Sequence, residues 1–531
     1  MLMKKIIKIL LLGFFLNLFS LQLVAQNGNA LQGLIGGPIH KLLFAESAIK
    51  QVYIDSLSED KLVENAIVGM LKELDPHSQY TPAKDVGEVT ESLEGNFEGI
   101  GVQFNMIEDT LVVVQPISNG PSEKVGIMAG DRIIFAGDTC IAGVKKNEHD
   151  IKRLLRGPKG SKIKLGIMRP GVSGIHYFTV TRDKIPLYSI DAKYMIDATT
   201  GYIHITNFGA NTHEEFMSAV HMLKDKGMKD LIIDLQGNGG GYLQAAVNIS
   251  NEFLDNKDLI VYTSGRSTPK TEYHADGKGI LRDGKIVVLV DSYTASASEI
   301  VSGAIQDNDR GIIVGRRTYG KGLVQRPIGL PDGSMIRLTT AHYYSPSGRC
   351  IQRPYEKGKK TDYDKDLLER LNSGELTNPD SIRFPDSLKY KTLKQQRVVY
   401  GGGGIMPDEY VPLDTLQFPK LYRELMAKST VNRTCMKYLD KNRSKLHRKY
   451  KQFDKYLAEF EVPDDMIELL KEQASKTELK YTDEEFNQVL PVLKVQLKAL
   501  LARDLWEMNE YYHVINSINS IFNKGVEVIK R

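Results

Sequence analysis

Three residues carry the chemistry this sequence can be read for: Ser296, Lys321 and Gln325. Ser296 lies in Asp291-Ser-Tyr-Thr-Ala-Ser296-Ala-Ser-Glu299, and the other two in Gly320-Lys-Gly-Leu-Val-Gln325. A hydroxyl is a weak nucleophile at its free pKa and needs an adjacent base. A lysine is a base only when neutral, which calls for an apolar, desolvated pocket. Gln325 follows Lys321 by four positions, a spacing that sets both on one face of a strand or a helix. Its amide oxygen can then accept from the lysine amine and hold it toward Ser296.

The local pattern suits a presented serine. Lys285-Ile-Val-Val-Leu-Val290 is a continuous apolar, β-branched run and reads as a buried parallel strand. A turn of small residues follows, and Ile300, Val301, Ala304 and Ile305 then recur at helical spacing. A strand–turn–helix exposes a hydroxyl at the sheet's edge and aims a helix N-terminus at developing negative charge. The bland alternative is a capping box between Ser296 and Glu299. Asn238-Gly-Gly-Gly241 lies just past the strand Leu231–Leu235, where α/β sheets place ligands. The amides of Ala297 and of one glycine of the Gly239–Gly241 run, Gly240 before the others, are therefore the expected oxyanion donors. Gly315-Arg-Arg-Thr-Tyr-Gly320-Lys321 matches a phosphate loop up to its last position, where Gly322 replaces the hydroxyl that holds magnesium. That absence argues against a nucleotide-binding protein.

Together these motifs resemble the carboxy-terminal processing (tail-specific) serine proteases. Leu231-Ile-Ile-Asp-Leu-Gln-Gly-Asn-Gly-Gly-Gly-Tyr-Leu243 is similar to that family's Asn-Pro-Gly-Gly segment, with Gly239 in place of the proline. Asp332–Thr340, Tyr344-Ser-Pro-Ser-Gly-Arg349 and Leu74-Asp-Pro-His-Ser-Gln-Tyr80 resemble further family segments. The resemblance spans roughly residues 35–350, with Gly404-Ile-Met-Pro-Asp408 beyond. It implies an exported, ATP-independent endopeptidase with a Ser296–Lys321 dyad, Gln325 as third catalytic residue, and protein or peptide substrates with free C-termini. Residues 88–183 resemble a PDZ domain. Gly99, Ile100, Gly101 and Val102 would form its carboxylate loop, Val102–Met106 the strand that accepts a peptide, and Asp150–Leu155 the groove helix. The rival reading is a non-catalytic binding protein on the same core fold, as among retinoid-binding relatives; an intact Ser296, Lys321 and Gln325 set argues against it.

The wider organisation is consistent with such an enzyme. At 531 residues the chain needs two to four domains. Hydrophobic content of 41%, charged content of 26% and a net charge of +4 are ordinary for globular chains and do not call for nucleic acid. Lys4, Lys5 and Lys8, then an apolar run from Ile9 to Phe19, then Ala25, read as a signal peptide over 1–25. Leu23 suits the cleavage site poorly, which leaves an uncleaved membrane anchor as the alternative; the expected location is the periplasm or the inner membrane. Three cysteines, Cys140, Cys350 and Cys435, read as unpaired thiols. No metal or cofactor motif is present in the sequence. The expected fold is multidomain α/β: an N-terminal helical segment (30–85), a β-rich PDZ domain with two helices (88–183), an α/β protease core (185–414) and a C-terminal helical domain (415–531). Within the core, 352–400 reads as a charged surface flap. Phe486, Val489, Leu490, Leu493, Leu497, Leu500 and Leu501 form one helical stripe, either a domain core or a face for a second copy of the chain. Pro491 should kink or divide that helix.

Overall fold

The computed structural model describes residues 37–531 except 361, 362 and 364. The signal segment expected over 1–25 lies outside the described residues. The chain forms two compact units, one of residues up to Tyr80 with Lys357–Lys360, the other of Thr81–Glu356 with Thr361–Arg531. In the first, α1 (Pro38–Val52) precedes α2 (Glu59–Lys72), whose first turn is capped by Ser58. Of the apolar residues on α2, Leu71 is buried and Met70 exposed.

The second unit opens on α3 (Ala83–Glu94) and continues into the PDZ domain. Its sheet takes β1 (Val102–Ile107), β2 (Thr110–Pro116), β3 (Arg132–Ala136), β4 (Lys162–Met168) and β5 (Ile175–Thr181) in the spatial order β1-β2-β3-β4-β5. The groove helix is α4 (Glu148–Leu155), capped by Asn147. Leu111, Val113, Ile133, Ile151 and Leu165 close the core between them.

The protease core is a six-stranded sheet. Along the chain its members are β6 (Ile190–Met195), β7 (Thr200–Ile205), β8 (Asp230–Asp234), β11 (Ile286–Val290), β12 (Ile312–Gly315) and β15 (Glu409–Tyr410), which neighbour one another in that order. Only β6 runs antiparallel, pairing with β7 through a register shift between Ile190 and Ala192; the other pairs are parallel, as the strand–helix alternation requires. Four more strands, β9 (Leu259–Gly265), β10 (Thr268–His274), β13 (Leu323–Gly329) and β14 (Met335–Tyr344), pair antiparallel within a separate five-stranded sheet. Ile203, Ile233 and Val288 face α5 (Thr212–Asp225), α6 (Leu243–Asn251) and α7 (Ala297–Asp307). The alternate residues Tyr202, Ile232, Val287 and Leu289 face the other way. Burial on both sides is why these strands read as unbroken apolar runs.

The C-terminal residues divide their packing. α8 (Lys420–Ala427), α9 (Thr430–Lys449), α10 (Asp464–Ser475) and α11 (Asp483–Leu505) share a core that contains Phe486, Val489, Leu493, Leu497 and Leu501. The stripe is therefore covered within one chain, and the alternative of a face for a second copy loses its basis. α11 is not divided: it runs through Pro491 as one 23-residue helix. The stripe's burial on both sides of the proline outweighs the one missing backbone bond. α12 (Met508–Ile515) straddles the two, with Val514 in the bundle core and Tyr512 against the core sheet, and α13 (Ser520–Ile529) covers the second face of that sheet, with Ile521, Phe522 and Val528 packed on Tyr202, Val287 and Leu289.

The segment 352–400 is anchored rather than a superficial flap. Arg370 and Glu375 are buried. Glu375 binds the Arg317 guanidinium through both oxygens at 2.6 and 2.7 Å, and Arg370 Nε at 2.7 Å. Arg370 also donates to the carbonyls of Arg317 and Thr318. These charges brace the backbone that leads into Lys321.

Candidate active site

The buried strand β11 ends at Val290, and Oδ1 of the next residue, Asp291, accepts the amides of Tyr293 and Thr294 and starts a tight turn. The turn delivers Ser296 with φ 57° and ψ −116°. A non-glycine residue held there carries backbone strain of roughly 1–3 kcal/mol, which persists only where its surroundings over-determine it. They do so here. Ser296 N–H donates to Glu299 Oε2 at 2.8 Å, and the Ser296 carbonyl accepts from Glu299 N–H at 2.8 Å and from the Tyr343 hydroxyl at 3.0 Å. Next door, Ala295 N–H and Ser298 Oγ both donate to the Asn238 carbonyl.

Lys321 approaches from the loop before β13. Its Nζ donates to Gln325 Oε1 at 3.0 Å. The spacing of four was expected to achieve this within one regular element, and it does not. Lys321 precedes the strand, and the ladder shifts register between Val324 and Gln325. A bulge re-aims a side chain, which is how Gln325 reaches back to the amine. The segment after Lys321 is a strand and not a helix, so the phosphate-loop reading fails on its context as well as on Gly322.

Glu299 is the residue the sequence reading undervalued. The capping-box pattern explained it fully, yet its buried carboxylate does more. Oε2 accepts both Ser296 N–H at 2.8 Å and Lys321 N–H at 2.9 Å, while Oε1 accepts Gly320 N–H at 2.8 Å and Thr318 Oγ1 at 2.5 Å. One oxygen thus ties the serine's backbone to the lysine's. Burial pushes this carboxyl above the ordinary carboxylate range, and the four donors pull against that rise. Tyr343 adds a second tie, since its hydroxyl reaches the carbonyls of both Ser296 and Lys321. Burial raises that phenol far above its usual value and keeps it a donor.

The glycine run completes the site differently from expectation. Gly240 N–H is taken by Asn238 Oδ1 at 2.8 Å, so it is not the open donor that was anticipated. A Cβ on Gly240 would lie 2.7 Å from Ser296 Cβ and 2.9 Å from Ala297 N, with φ at +99°. Glycine at 240 therefore keeps the space beside the Ala297 amide clear. The Gly240 carbonyl accepts Phe208 N–H at 3.0 Å, and in a trans peptide the Gly241 N–H points the opposite way. Among the described residues, neither Ala297 N–H nor Gly241 N–H donates to a protein acceptor.

Ser296, Lys321, Gln325, Ala297 and Gly239–Gly241 line one cleft of about 360 Å³. Thr90 and Leu93 of α3 form part of its wall. On the same helix, Glu91 pairs with Arg156 at 2.7 Å. Arg156 also lines a second cavity of about 310 Å³ with Gly99, Ile100, Gly101, Val102 and Leu155, between β1 and α4. Among the described residues, no acidic, histidine and cysteine cluster suits a metal ion, and no helix is long and apolar enough to cross a membrane. The three cysteines are free thiols.

Comparison with known proteins fits this arrangement. Residues 199–364 match the family model described as peptidase family S41, 99–173 match that of the PDZ domain, and 421–507 match a family of unknown function. The chain is 38% identical over 309 residues to the carboxy-terminal-processing protease of Bartonella bacilliformis, covering 57% of this chain and 70% of that protein. It is 35% identical over 337 residues to the carboxy-terminal processing protease CtpA of Bacillus subtilis, covering 61% and 70%. A solved photosystem II D1 C-terminal processing protease aligns at 26% identity over 72% of this chain and 89% of that one, with a TM-score of 0.37. With these two relatives aligned over 70% of their own length, the chain belongs to peptidase family S41, as a serine protease of the carboxy-terminal processing type with a PDZ domain.

Proposed function

We propose that this protease is an exported, ATP-independent endopeptidase that cuts proteins near their C-termini with a Ser296–Lys321 dyad. The observation that carries the reading is the 3.0 Å bond from Lys321 Nζ to Gln325 Oε1 in the cleft that Ser296 lines. Neutral Lys321 takes the proton of Ser296 Oγ as that oxygen attacks the scissile carbonyl carbon, whose π electron pair moves onto its oxygen. The N–H groups of Ala297 and Gly241 receive that oxyanion. The lysine ammonium then protonates the leaving amine, the C–N bond breaks, and an acyl-serine remains. Water repeats the cycle: Lys321 takes its proton, and the serine oxygen recovers one as the acid departs. Gln325 orients the amine throughout.

The PDZ groove supplies substrate selection in this reading. A free C-terminal carboxylate docks at the amides of Gly99–Val102 while the chain adds to the open edge of β1. Arg156 links the two sites, because it lines that groove and pairs with Glu91 on the helix that walls the cleft. Docking there can bias the cleft only if the peptide prefers one arrangement of this helix. The N-terminal segment would direct the chain to the periplasm or hold it at the inner membrane.

The test uses an unstructured protein substrate with its C-terminus free or amidated, with the cut ends identified by mass spectrometry. Cuts near the free end, their loss in Ser296→Ala, and discrimination against the amidated form are expected. Equal cleavage of both forms by the intact enzyme would refute C-terminal recognition by the PDZ domain.

A further inference from the structure

The strand β2 carries an unbroken apolar run, Leu111-Val-Val-Val114, and all four residues are buried. Alternation sends Leu111 and Val113 into the PDZ core. Val112 and Val114 therefore point out of the domain, and in an isolated PDZ domain they would face water. Here they pack against Met436 of α9, itself 7% exposed, with Ile107 alongside. Polar ties flank this plug. Asn105 Nδ2 donates to Met436 Sδ at 3.4 Å, Arg132 pairs with Asp440, and Lys437 Nζ meets Glu108 Oε1 at 2.6 Å. Asp440 neighbours both Met436 and Lys437 on one helix surface, at offsets of four and three.

We propose that the C-terminal helical bundle, residues 421–507, whose family has no assigned function, serves as a brace that fixes the PDZ domain on the protease core. The brace continues without a gap into the core. α11 leads into α12, where Asn509 Oδ1 accepts Lys193 N–H of β6 at 2.8 Å and Asn516 Nδ2 donates to Tyr194 Oη at 2.9 Å just beyond. It also leaves the peptide groove clear. β1 pairs with β2 on one side only, and its other edge opens toward α4. A peptide strand can thus add to β1 while α9 holds the outer face of β2. The occupant of this surface is the chain's own α9, and its function is to set where a docked C-terminus points relative to Ser296. That last step rests on the proposed role of the PDZ groove.

The test uses the full-length protein and two readouts. The first is amide hydrogen exchange over residues 102–116, which needs no proteolysis and so stays informative if the functional reading fails. The second is the turnover ratio for substrates with free and amidated C-termini. Met436→Asp buries a carboxylate in the plug. It should raise exchange in β2 at least tenfold and bring the turnover ratio close to one. Arg132→Asp and Asp440→Arg are milder changes at half-buried positions; each should raise exchange, and the double variant, which re-forms the pair with its charges swapped, should restore both readouts. Wild-type exchange in Met436→Asp, or no rescue in the swapped pair, would overturn the brace. Raised exchange with an unchanged turnover ratio would keep the mechanical contact and overturn its role in delivery.

Discussion

Glu299→Gln separates a carboxylate that merely caps α7 from one that aligns the site. The carboxylate receives four donors, Ser296 N–H and Lys321 N–H at Oε2, Gly320 N–H and the Thr318 hydroxyl at Oε1. A glutamine amide offers one acceptor oxygen. Placed at Oε2, it keeps the serine and lysine ties; its NH₂ then faces Gly320 N–H, while the Thr318 hydroxyl turns to accept. One charge-assisted bond is lost, at about 1.5–3 kcal/mol, and one buried N–H is stranded, at about 1–3 kcal/mol. Removing a buried charge returns part of that, so a net loss of about 2–4 kcal/mol in stability is expected. Turnover should fall only modestly, since both ties survive. Glu299→Ala strands all four donors and leaves Ser296 tied to Lys321 only through the Tyr343 hydroxyl; a displacement of about 1 Å at a reacting group costs on the order of 100-fold in rate. Calorimetry and kcat on a model peptide, at a temperature where each variant is folded, read the two effects apart. A folded Glu299→Ala enzyme with wild-type kcat would refute the alignment role and leave Glu299 as a cap.

Gln325→Ala should lower kcat by about 10-fold or more with little change in Tm, because it removes the acceptor that orients Lys321 and no core packing; an unchanged kcat assigns the residue to the strand alone. Gly240→Ala forces a Cβ to within 2.7 Å of Ser296 Cβ at φ +99°, so turnover should drop at least 100-fold with about 1–3 kcal/mol of destabilisation, measured by denaturant unfolding. His513 stacks on Tyr194, and burial lowers its imidazole to about 4 from 6.5. The unfolded chain therefore takes up a proton that the folded one refuses, and stability falls as pH drops from 6.5 toward 4; allowing for partial exposure, about 2 kcal/mol is at stake, and His513→Gln should flatten that slope of Tm against pH.

Much of this was legible in the chain because it rests on local pattern. The run Ile286–Val290 followed by small residues and a helical repeat announces the strand–turn–helix that delivers Ser296. The stripe from Phe486 to Leu501 announces a helix with one buried face. Other features were hidden because they join residues far apart or depend on irregular backbone. Glu299 satisfies a common capping pattern, so nothing in its neighbourhood reveals that the same oxygen also holds Lys321, 22 residues on. Gln325 meets Lys321 through a bulge, which no periodicity encodes. Gly240 was expected to donate its amide, and only the Asn238 side chain shows that the bond is already used. The charges of 352–400 read as a solvated flap because Arg370 and Glu375 find each other and Arg317 only in the folded chain.

The most direct test of the central claim is the turnover of Lys321→Arg. Arginine keeps a long, strongly basic side chain, but it does not give up its proton at working pH, so it cannot act as the base. Cleavage of an unstructured substrate should fall by about 100- to 10,000-fold, the usual contribution of a general base, while circular dichroism and Tm stay at wild-type values. A folded Lys321→Arg enzyme that cuts at the wild-type rate would contradict the Ser296–Lys321 mechanism.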